Sequence, residues 1–588
     1  MRKKRFIFLA IIIFCMNFLL IGRLVQVQLI ETESYSKHHI NLLKESVSQR
    51  TQEMIIDDGR GQFIDRNNQS LTFQEKPILV LFPFLKRLNW DIERVSDILN
   101  VSQSEILNEL EAAKEPFIFH GRDPYILTET QMREINQLKI PGVFAVRKKY
   151  TEKSIPAAQL IGITGEDADT FLKRYPDKKG MQNQKIGITG LQKQFDEFLL
   201  PEGESKLVYH VDATGGPLFG INVKYSGPGN PLFPVNIQTT LDKKLQEQIE
   251  DKVDEYKIKK GGVILLDIEK NEILADVSRP KMNSKDPYKN KAVNNLMFSL
   301  QIPGSIFKTV VAAASIETGI MNDSELFPCS EDLYGKPAER QLGNLNFDES
   351  FAQSCNRTFG ELAKRLKKAD PNLLEEYAKK LGLIGPISWQ GNIFHFNNFK
   401  QFLANEGQVF SKEESKKDDN LVAQSGIGQQ EVRVTPLSIA NMMSTIARGG
   451  KLETVRAVSS IKYHDGTTLV DFPVQQLQID TISKVTAIKL QKMLRHVVTS
   501  EKGTGRWFQN LPYEVAGKSG TAETGIYVHN QQLHNKWFAG YFPFKNPKYA
   551  LVVVNLGVPE DEGGINQLFA DIVQLIHENN TNRNNFNH

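Results

Sequence analysis

A serine and a lysine three positions apart carry the strongest catalytic signal in this 588-residue chain. Ser305 and Lys308 follow a Pro-Gly pair and lead into the apolar run 310–314, which predicts a buried helix that begins near the serine. Because positions i and i+3 share a helix face, the lysine amine can lie against the serine hydroxyl. Burial disfavours a charged lysine, so the pair predicts a neutral base beside a nucleophile. Taken alone, the same pair also fits an N-cap serine and a surface lysine.

Two later fragments favour the catalytic interpretation. Ser354 and Asn356 enclose Cys355, and the segment 518–521 reads Lys-Ser-Gly-Thr. In this order, Ser-x-x-Lys, Ser-x-Asn and Lys-Ser/Thr-Gly are the motif set of penicillin-binding proteins and serine β-lactamases. The chain therefore resembles the penicillin-recognising acyl-serine transferases.

The resemblance implies a role for each motif residue in acyl transfer from a peptidoglycan stem peptide. Ser305 would attack the carbonyl between two D-alanines, and Lys308 would accept the hydroxyl proton. Ser354 would relay a proton to the departing D-alanine amine, and Asn356 would hold the substrate amide. Lys518 would supply positive charge near the substrate carboxylate.

The rest of the third motif would bind substrate. The resemblance implies that the hydroxyls of Ser519 and Thr521 contact the terminal carboxylate, with Gly520 between them. The backbone N–H groups of Ser305 and Thr521 would form the oxyanion hole. An amine of a neighbouring strand would then take the acyl group, whereas water as acceptor would give carboxypeptidase activity. No metal or organic cofactor is expected.

Composition excludes several other classes of function. Hydrophobic residues make up 40% of the chain, which is ordinary for globular domains rather than for a polytopic membrane protein. The 72 basic and 69 acidic residues leave a net charge of only +3, so nucleic acid is not an expected partner. No Cys/His group has zinc-site spacing. Cys15 lies in an apolar segment, which leaves Cys329 and Cys355 as the single pair that could form a soluble disulfide. The sequence does not decide that pairing, and Cys355 is interpreted as a packed apolar residue.

The N-terminus predicts a membrane anchor. Four basic residues lie within positions 1–5, and the apolar run 6–22 is extended by residues 24 and 25 to nearly the length that crosses a bilayer. We expect a cytoplasmic tail at 1–5, a single span at 6–25 and the remaining chain outside the cell. Since no Ala-x-Ala-like site follows, an uncleaved anchor is favoured over a signal peptide.

The segment that follows resembles the non-catalytic domain of class B penicillin-binding proteins. The run 59–67 is similar to the Arg-Gly-x-Ile-x-Asp-Arg-Asn signature at the start of that domain, and 147–150, 159–162 and 187–191 resemble its later landmarks. We therefore predict an elongated, mixed α/β pedestal over 26–235. None of its residues is a catalytic candidate.

Residues 236–578 are predicted to form the transpeptidase domain. Apolar strands near both ends of this segment, around a helical middle, indicate an α+β fold with one sheet built from distant segments. The resemblance to β-lactamase-like domains implies a mainly antiparallel, five-stranded sheet with helices on both faces. The Asn-rich tail 579–588 is predicted to be disordered.

Together these features predict a membrane-anchored D,D-transpeptidase of cell wall synthesis that β-lactams acylate. Its expected partners are stem peptides, β-lactams, the membrane, a lipid-linked glycan polymerase and proteins of the wall-building complex. No segment resembles a glycosyltransferase domain, which favours class B over the bifunctional class. A membrane-anchored β-lactamase and a penicillin-sensing receptor are the alternatives. The sequence does not distinguish roles in division, elongation and sporulation.

Overall fold

The computed structural model describes residues 2–36, 40–42, 45, 51–178, 184–212, 224–227, 229–322 and 324–586. The chain forms two compact units. The first comprises Met1–Arg60, Phe73–Thr151 and Pro201–Phe233, and the second comprises Gly61–Thr72, Glu152–Leu200 and Pro234–His588.

Both units mix strands and helices. The described strands, in chain order, are β1 Thr51–Asp57, β2 Gln62–Ile64, β3 Phe73–Leu81, β4 Phe117–Ile118, β5 Val143–Thr151, β6 Thr164–Gly165, β7 Ile186–Gly187, β8 Ser205–His210, β9 Lys224–Ser226, β10 Asn236–Thr239, β11 Gly261–Asp267, β12 Glu272–Arg279, β13 Phe327–Pro328, β14 Asn344–Leu345, β15 Gln390–Ile393, β16 Phe396–Lys400, β17 Val458–Lys462, β18 Thr468–Asp471, β19 Ala516–Val528, β20 Gln531–Phe542 and β21 Tyr549–Val558. The described α-helices are α1 Arg2–Val25, α2 Ile92–Leu99, α3 Gln103–Ala112, α4 Glu129–Gln137, α5 Ala158–Ile161, α6 Ala168–Arg174, α7 Gly190–Gln194, α8 Asp196–Leu199, α9 Lys243–Glu255, α10 Lys308–Glu317, α11 Phe347–Gln353, α12 Asn356–Ala369, α13 Leu373–Lys380, α14 Asp419–Gly426, α15 Pro436–Ala447, α16 Lys484–Thr499 and α17 Ile565–Phe586.

The first unit begins with the apolar helix α1. Lys3–Ile30 forms a continuous helical stretch with a mean hydropathy of 2.4, and none of its most apolar window is buried inside the protein. Its 28 residues span roughly 42 Å at 1.5 Å per residue, which is long enough to cross a bilayer. This helix contains the predicted span 6–25 and suggests a membrane anchor.

The described remainder of the first unit contains two antiparallel sheets and several helices. One has the order β1-β8-β9 and the other β4-β3-β5. Amphipathic helices pack against the second sheet through side chains such as Val95, Ile106 and Ile135, which are at most 1% exposed. Asp91, Ser102 and Thr128 cap these helices by accepting hydrogen bonds from backbone N–H groups, so the local sequence fixes where each helix begins.

The second unit is built on a five-stranded antiparallel sheet with the order β12-β11-β21-β20-β19. Its central strands are rich in Val, Leu and Ile because helices cover both faces. Leu551 and Val553 face a core shared with α9 and α17, and the alternate residues of β21 face the other side, where α15 packs. The predicted α+β fold and its five-stranded sheet are confirmed.

The division into units does not follow the continuous pedestal predicted at 26–235. The short strand β2 belongs to the second unit, because it pairs in parallel with β10 in a sheet of order β18-β17-β10-β2. The Asp65 carboxylate accepts a hydrogen bond from the Lys243 backbone N–H at the start of α9. The signature segment 59–67 is thus largely part of the unit that carries the catalytic motifs.

The predicted disorder of the tail is wrong for residues 579–586, which continue α17 to Phe586. Tertiary contacts hold this Asn-rich end. The Asn580 amide donates to the hydroxyls of Tyr513 and Tyr549 at 3.2 and 3.1 Å, and Arg583 donates to Asp242 at 2.6 Å. Residues 587 and 588 lie outside the described ranges.

Candidate active site

Ser305 lies in a tight turn immediately before α10. The turn Gly304–Phe307 is a short 3₁₀ helix, so the serine is one turn before the α-helix begins rather than at its first residue. Gly304 has φ +59°, and a Cβ there would collide with the Thr521 carbonyl. Glycine at this position therefore lets the serine turn approach the third motif directly.

The Lys308 amine connects the first motif to the second. It is fully buried and donates to the Ser354 carbonyl at 2.9 Å and to the Asn356 side-chain oxygen at 2.7 Å. The Ser354 hydroxyl lies 3.1 Å from the same nitrogen. Among the described residues, these hydrogen bonds go to the second motif and not to Ser305. Catalytic hydrogen bonds often tighten only when substrate is present, so this geometry is compatible with proton transfer from the serine.

Two buried lysines without carboxylate partners set the electrostatics of the site. Burial, then the charge of Lys518, then that of Arg340 lower the pKa of Lys308 well below its ordinary value. Burial and Arg340 lower the pKa of Lys518 to about 7. No ion pair involving either amine occurs in the described part of the chain. A neutral amine at Lys308 is therefore accessible near neutral pH, as a general base requires.

The second motif forms the connection between α11 and α12. Asn346 and Glu349 form a capping box at the start of α11, and Ser354 caps its C-terminal end with a left-handed backbone at φ +60° and ψ +48°. The backbone N–H of Cys355 donates to the Ser350 carbonyl at 2.8 Å, which closes the turn. Asn356 is then the first residue of α12, so the Ser354 and Asn356 side chains flank a single turn.

Cys355, between these two residues, is bonded to Cys329 in a disulfide. Both sulfur-bearing side chains are at most 3% exposed. The sequence left this pairing open and favoured simple packing for Cys355. The two cysteines are 26 residues apart, and the strand pair β13-β14, which neighbours Cys329, brings them together.

The third motif lies on β19, at the edge of the five-stranded sheet. Lys518 is fully buried, whereas Thr521 is exposed. A Cβ on Gly520 would lie 2.7 Å from the Pro303 carbonyl oxygen and 3.0 Å from Ile306, so only glycine lets this strand pack against the serine turn. The Trp537 indole on the neighbouring strand β20 donates to the Ile302 carbonyl at 3.1 Å and so attaches the segment before the serine turn to the sheet.

An open groove with a volume of about 730 Å³ runs beside the second motif. Ser354 and Asn356 line it, together with Arg340 and with residues 523–525 of β19, which follow the third motif. Its carboxylate-bearing lining residues are Glu331, Asp332, Glu339 and Glu523. Within the described ranges, no group of three or more His, Cys, Asp or Glu side chains is arranged to hold a metal ion. The arrangement suits acyl transfer by a serine, a buried amine and a proton relay.

Comparison with known proteins identifies the family. The penicillin-binding protein transpeptidase domain matches residues 261–574, and the penicillin-binding protein dimerisation domain matches residues 55–233. The chain belongs to the class B penicillin-binding proteins. The first match covers the five-stranded sheet and all three motifs.

Relatives of this penicillin-binding protein carry the corresponding activity in their names. Peptidoglycan D,D-transpeptidase PbpA of Mycobacterium tuberculosis is 25% identical over 428 residues, covering 65% of this chain and 79% of the relative. Peptidoglycan D,D-transpeptidase MrdA of Haemophilus influenzae is 24% identical over 442 residues, covering 68% of this chain and 64% of the relative. The protein is accordingly a peptidoglycan D,D-transpeptidase of cell wall synthesis.

A solved structure supports the fold of this class B protein over nearly its full length. A chain from a study titled "Structural coordination of polymerization and crosslinking by a peptidoglycan synthase complex" superposes with a TM-score of 0.64 at 21% identity. The match covers 97% of both chains.

Thr504 contacts the third motif, and Arg340 contacts the residue that precedes the second motif. The Ser519 hydroxyl donates to the Thr504 hydroxyl at 2.8 Å, and Arg340 donates to the Gln353 carbonyl at 2.7 Å. Thr504 lies 15 residues from Ser519, and Arg340 lies 13 residues from Gln353, both in connecting segments. No spacing in the chain points to them, so sequence reasoning missed both.

Proposed function

We propose that this penicillin-binding protein crosslinks stem peptides through an acyl ester on Ser305, with Lys308 as the general base. The observation that carries this proposal is the buried Lys308 amine, which lies between 2.7 and 3.1 Å from three oxygen atoms of the second motif and has a strongly lowered pKa. A buried amine in that state is suited to accept a proton from a neighbouring hydroxyl.

The first half-reaction forms the ester and releases D-alanine. The Ser305 oxygen bonds to the carbonyl carbon of the penultimate D-alanine while its proton moves to Lys308. The carbonyl oxygen becomes negative and is stabilised by the backbone N–H groups of Ser305 and Thr521. When the C–N bond breaks, the Ser354 hydroxyl passes a proton to the departing amine and is reprotonated from Lys308.

The second half-reaction transfers the acyl group. An amine of a neighbouring stem peptide attacks the ester carbonyl, the C–O bond to Ser305 breaks, and the proton lost by the amine returns to the serine oxygen. Asn356 holds the donor peptide amide throughout. With water in place of the amine, the same steps give carboxypeptidase activity, so the ratio of the two depends on the acceptor that reaches the ester.

The third motif recognises the carboxylate of the donor peptide. Lys518 supplies positive charge, the hydroxyls of Ser519 and Thr521 donate to the carboxylate, and Gly520 allows their strand to lie beside the serine turn. A bound carboxylate favours the charged form of Lys518, whose pKa in the free protein is about 7. β-Lactams present a carboxylate and a reactive amide carbonyl in similar positions and would acylate Ser305 in the same way.

We also propose that residues 1–5 are cytoplasmic, that 6–25 span the membrane and that the pedestal, 26–235, and the transpeptidase domain, 236–578, are extracytoplasmic. Four basic residues before the apolar run support this orientation.

The partners of this protein would be a lipid-linked glycan polymerase and other wall-synthesis proteins. The proposed orientation has a direct test. Protease added to intact protoplasts should digest nearly the whole chain, whereas full protection would reverse the topology.

Fluorescent penicillin tests the serine assignment on full-length protein in membranes. Wild type should take up one label per chain, and Ser305→Ala should take up none while remaining folded and membrane-bound. Ser315→Ala is the matched control, because this serine lies on α10 with a buried hydroxyl that has no hydrogen-bond partner among the described residues. Stoichiometric labelling of Ser305→Ala would overturn the assignment.

A further inference from the structure

The turn that presents the second motif has a backbone conformation that serine does not favour. Ser354 is left-handed at φ +60°, a region in which residues with a Cβ are uncommon unless surrounding structure imposes it. In this conformation the Ser354 carbonyl and hydroxyl both face the Lys308 amine, at 2.9 and 3.1 Å. The positions of the Ser354 carbonyl and hydroxyl beside the Lys308 amine therefore depend on the contacts that hold this turn.

Noncovalent contacts hold the turn from within α11 and from one side. The Ser354 N–H donates to the Phe351 carbonyl at 3.2 Å, and the Cys355 N–H donates to the Ser350 carbonyl at 2.8 Å. Arg340 donates to the Gln353 carbonyl at 2.7 Å from a different segment. These bonds fix the last turn of α11, and Cys355 lies where the chain leaves that turn and enters α12.

The disulfide supplies a covalent attachment at that point. Cys355 is bonded to Cys329, whose backbone N–H in turn donates to the Gly343 carbonyl at 2.8 Å beside the β13-β14 strand pair. The bond is enclosed by buried hydroxyls: Thr358 Oγ1 lies 3.2 Å from the Cys355 sulfur and 2.8 Å from Ser350 Oγ. The disulfide is therefore packed against the buried Thr358 and Ser350 hydroxyls.

We propose that the Cys329–Cys355 disulfide is a positioning element for acyl transfer, which holds Ser354 and Asn356 in place around the Lys308 amine. The two cysteines touch no reacting atom, so they act through the second motif. The proposal rests on the proposed serine mechanism and adds a covalent determinant that lies outside the roles of the three motifs. Misplacement of catalytic groups by about 1 Å can cost about 100-fold in rate, so loss of the bond should slow acylation in protein that remains folded.

The test measures penicillin acylation of full-length protein in detergent with Cys329→Ala, Cys355→Ala and the double variant. The rate constant of the acylation step should fall by about 10- to 100-fold, and penicillin binding before that step should change little. All three variants should show the same loss, because either substitution removes the whole bond and the effects of one unit are not additive.

The fraction of chains that become labelled and the rate constant of acylation are measured separately. This separates a positioning role of the disulfide from a simple loss of folded protein. A purely structural role would reduce the fraction of chains that label and leave the rate of the remainder unchanged. Val253→Ala is the matched control, since it removes a buried side chain from the core shared by α9 and α17 and should lower thermal stability without slowing acylation. A wild-type rate in Cys329→Ala would overturn the proposal.

A second measurement uses the wild-type sequence, in case the alanine variants do not fold. The protein is kept in dithiothreitol from cell lysis onward and is exposed briefly to penicillin. Its thiols are then alkylated, and the intact mass is measured. The dithiol takes the disulfide to two thiols and itself becomes a cyclic disulfide. Because Cys15 is free, disulfide-bonded chains gain one alkyl group and reduced chains gain three.

The fraction of chains that carry the added penicilloyl mass is then measured separately for the disulfide-bonded and the reduced chains. Slower acylation of the reduced chains supports the proposal, and equal rates overturn it. If Ser305→Ala were labelled as fast as wild type, the serine mechanism would fail independently of this result.

Discussion

The amine nitrogen of Lys308 lies 2.7 Å from the side-chain oxygen of Asn356, 48 residues further along the chain. This contact brings the first two motifs together around the buried Lys308 amine. The amine has no carboxylate partner among the described residues, and burial favours its neutral form.

Lys308→Arg should abolish acylation, with a loss of at least about 100-fold in rate. Arginine retains a positive charge and similar length, but it stays protonated and cannot accept the serine proton. Time-resolved labelling with fluorescent penicillin measures the effect. Lys364→Arg, a partly exposed lysine of α12 that pairs with Glu361, should label like wild type. Near-normal acylation of Lys308→Arg would mean that Lys308 serves only as a positive charge.

The acylation rate at low penicillin concentration should be bell-shaped in pH. As pH falls through the lowered pKa of Lys308, the amine gains a proton and the base is lost. As pH rises through about 7, Lys518 loses the charge that attracts the substrate carboxylate. The first change sets the acidic limb and the second sets the alkaline limb.

Lys518→Arg separates these two limbs. Arginine remains charged over the whole range, so the alkaline limb should move well above pH 7 while the acidic limb persists. The rate is measured by stopped-flow with a chromogenic β-lactam at fixed ionic strength. An unchanged alkaline limb in this variant would assign it to a group other than Lys518.

Gly520→Ala should impair acylation through geometry. The added Cβ would lie 2.7 Å from the Pro303 carbonyl oxygen, so the third-motif strand must move away from the serine turn. Overpacking of this kind costs about 1–3 kcal/mol of stability, and the displaced strand should lower the acylation rate by about 100-fold. Gly563→Ala is the matched control, because nothing lies within 4 Å of a Cβ there and its φ is not positive. Equal acylation by both variants would contradict the role given to Gly520.

Sequence reasoning predicted the parts of the molecule that local pattern determines. The order of the three motifs was sufficient for the family resemblance, and the apolar strands around a helical middle were sufficient for the α+β fold. The five strands of the sheet were implied by the resemblance, and family and sheet are both confirmed. The assignments of the individual motif residues stay predictions for the experiments above.

Features that depend on distant segments were not predictable in the same way. Arg340 contacts Gln353, beside the second motif, and Thr504 contacts Ser519 of the third motif; both lie in connecting segments that show no sequence pattern. The helix through 579–586 was missed because Asn has low helix propensity, and the contact between Arg583 and Asp242 stabilises an end that propensity alone disfavours. The disulfide of Cys329 required knowledge of which segments meet.

Penicillin should form a lasting adduct on Ser305 rather than being turned over. Hydrolysis of the acyl ester needs a water activated by a second base, and in class A β-lactamases a glutamate between the second and third motifs is accepted for that step. The segment between Asn356 and Lys518 contains no Glu-x-x-Leu-Asn sequence. In the part of the chain that the structure describes, no carboxylate forms a hydrogen bond or ion pair with Ser305, Lys308 or Lys518.

The lifetime of the adduct is measured by intact mass after excess penicillin has been removed from full-length protein in detergent. The penicilloyl mass should persist for many minutes, because no carboxylate among the described residues contacts Ser305, Lys308 or Lys518 to help activate a water. Denatured acyl-protein, hydrolysed in parallel, reports the intrinsic lability of the ester. Disappearance of the adduct within seconds, with catalytic accumulation of penicilloic acid, would make this protein a β-lactam hydrolase and contradict acyl transfer to a peptide amine as its reaction.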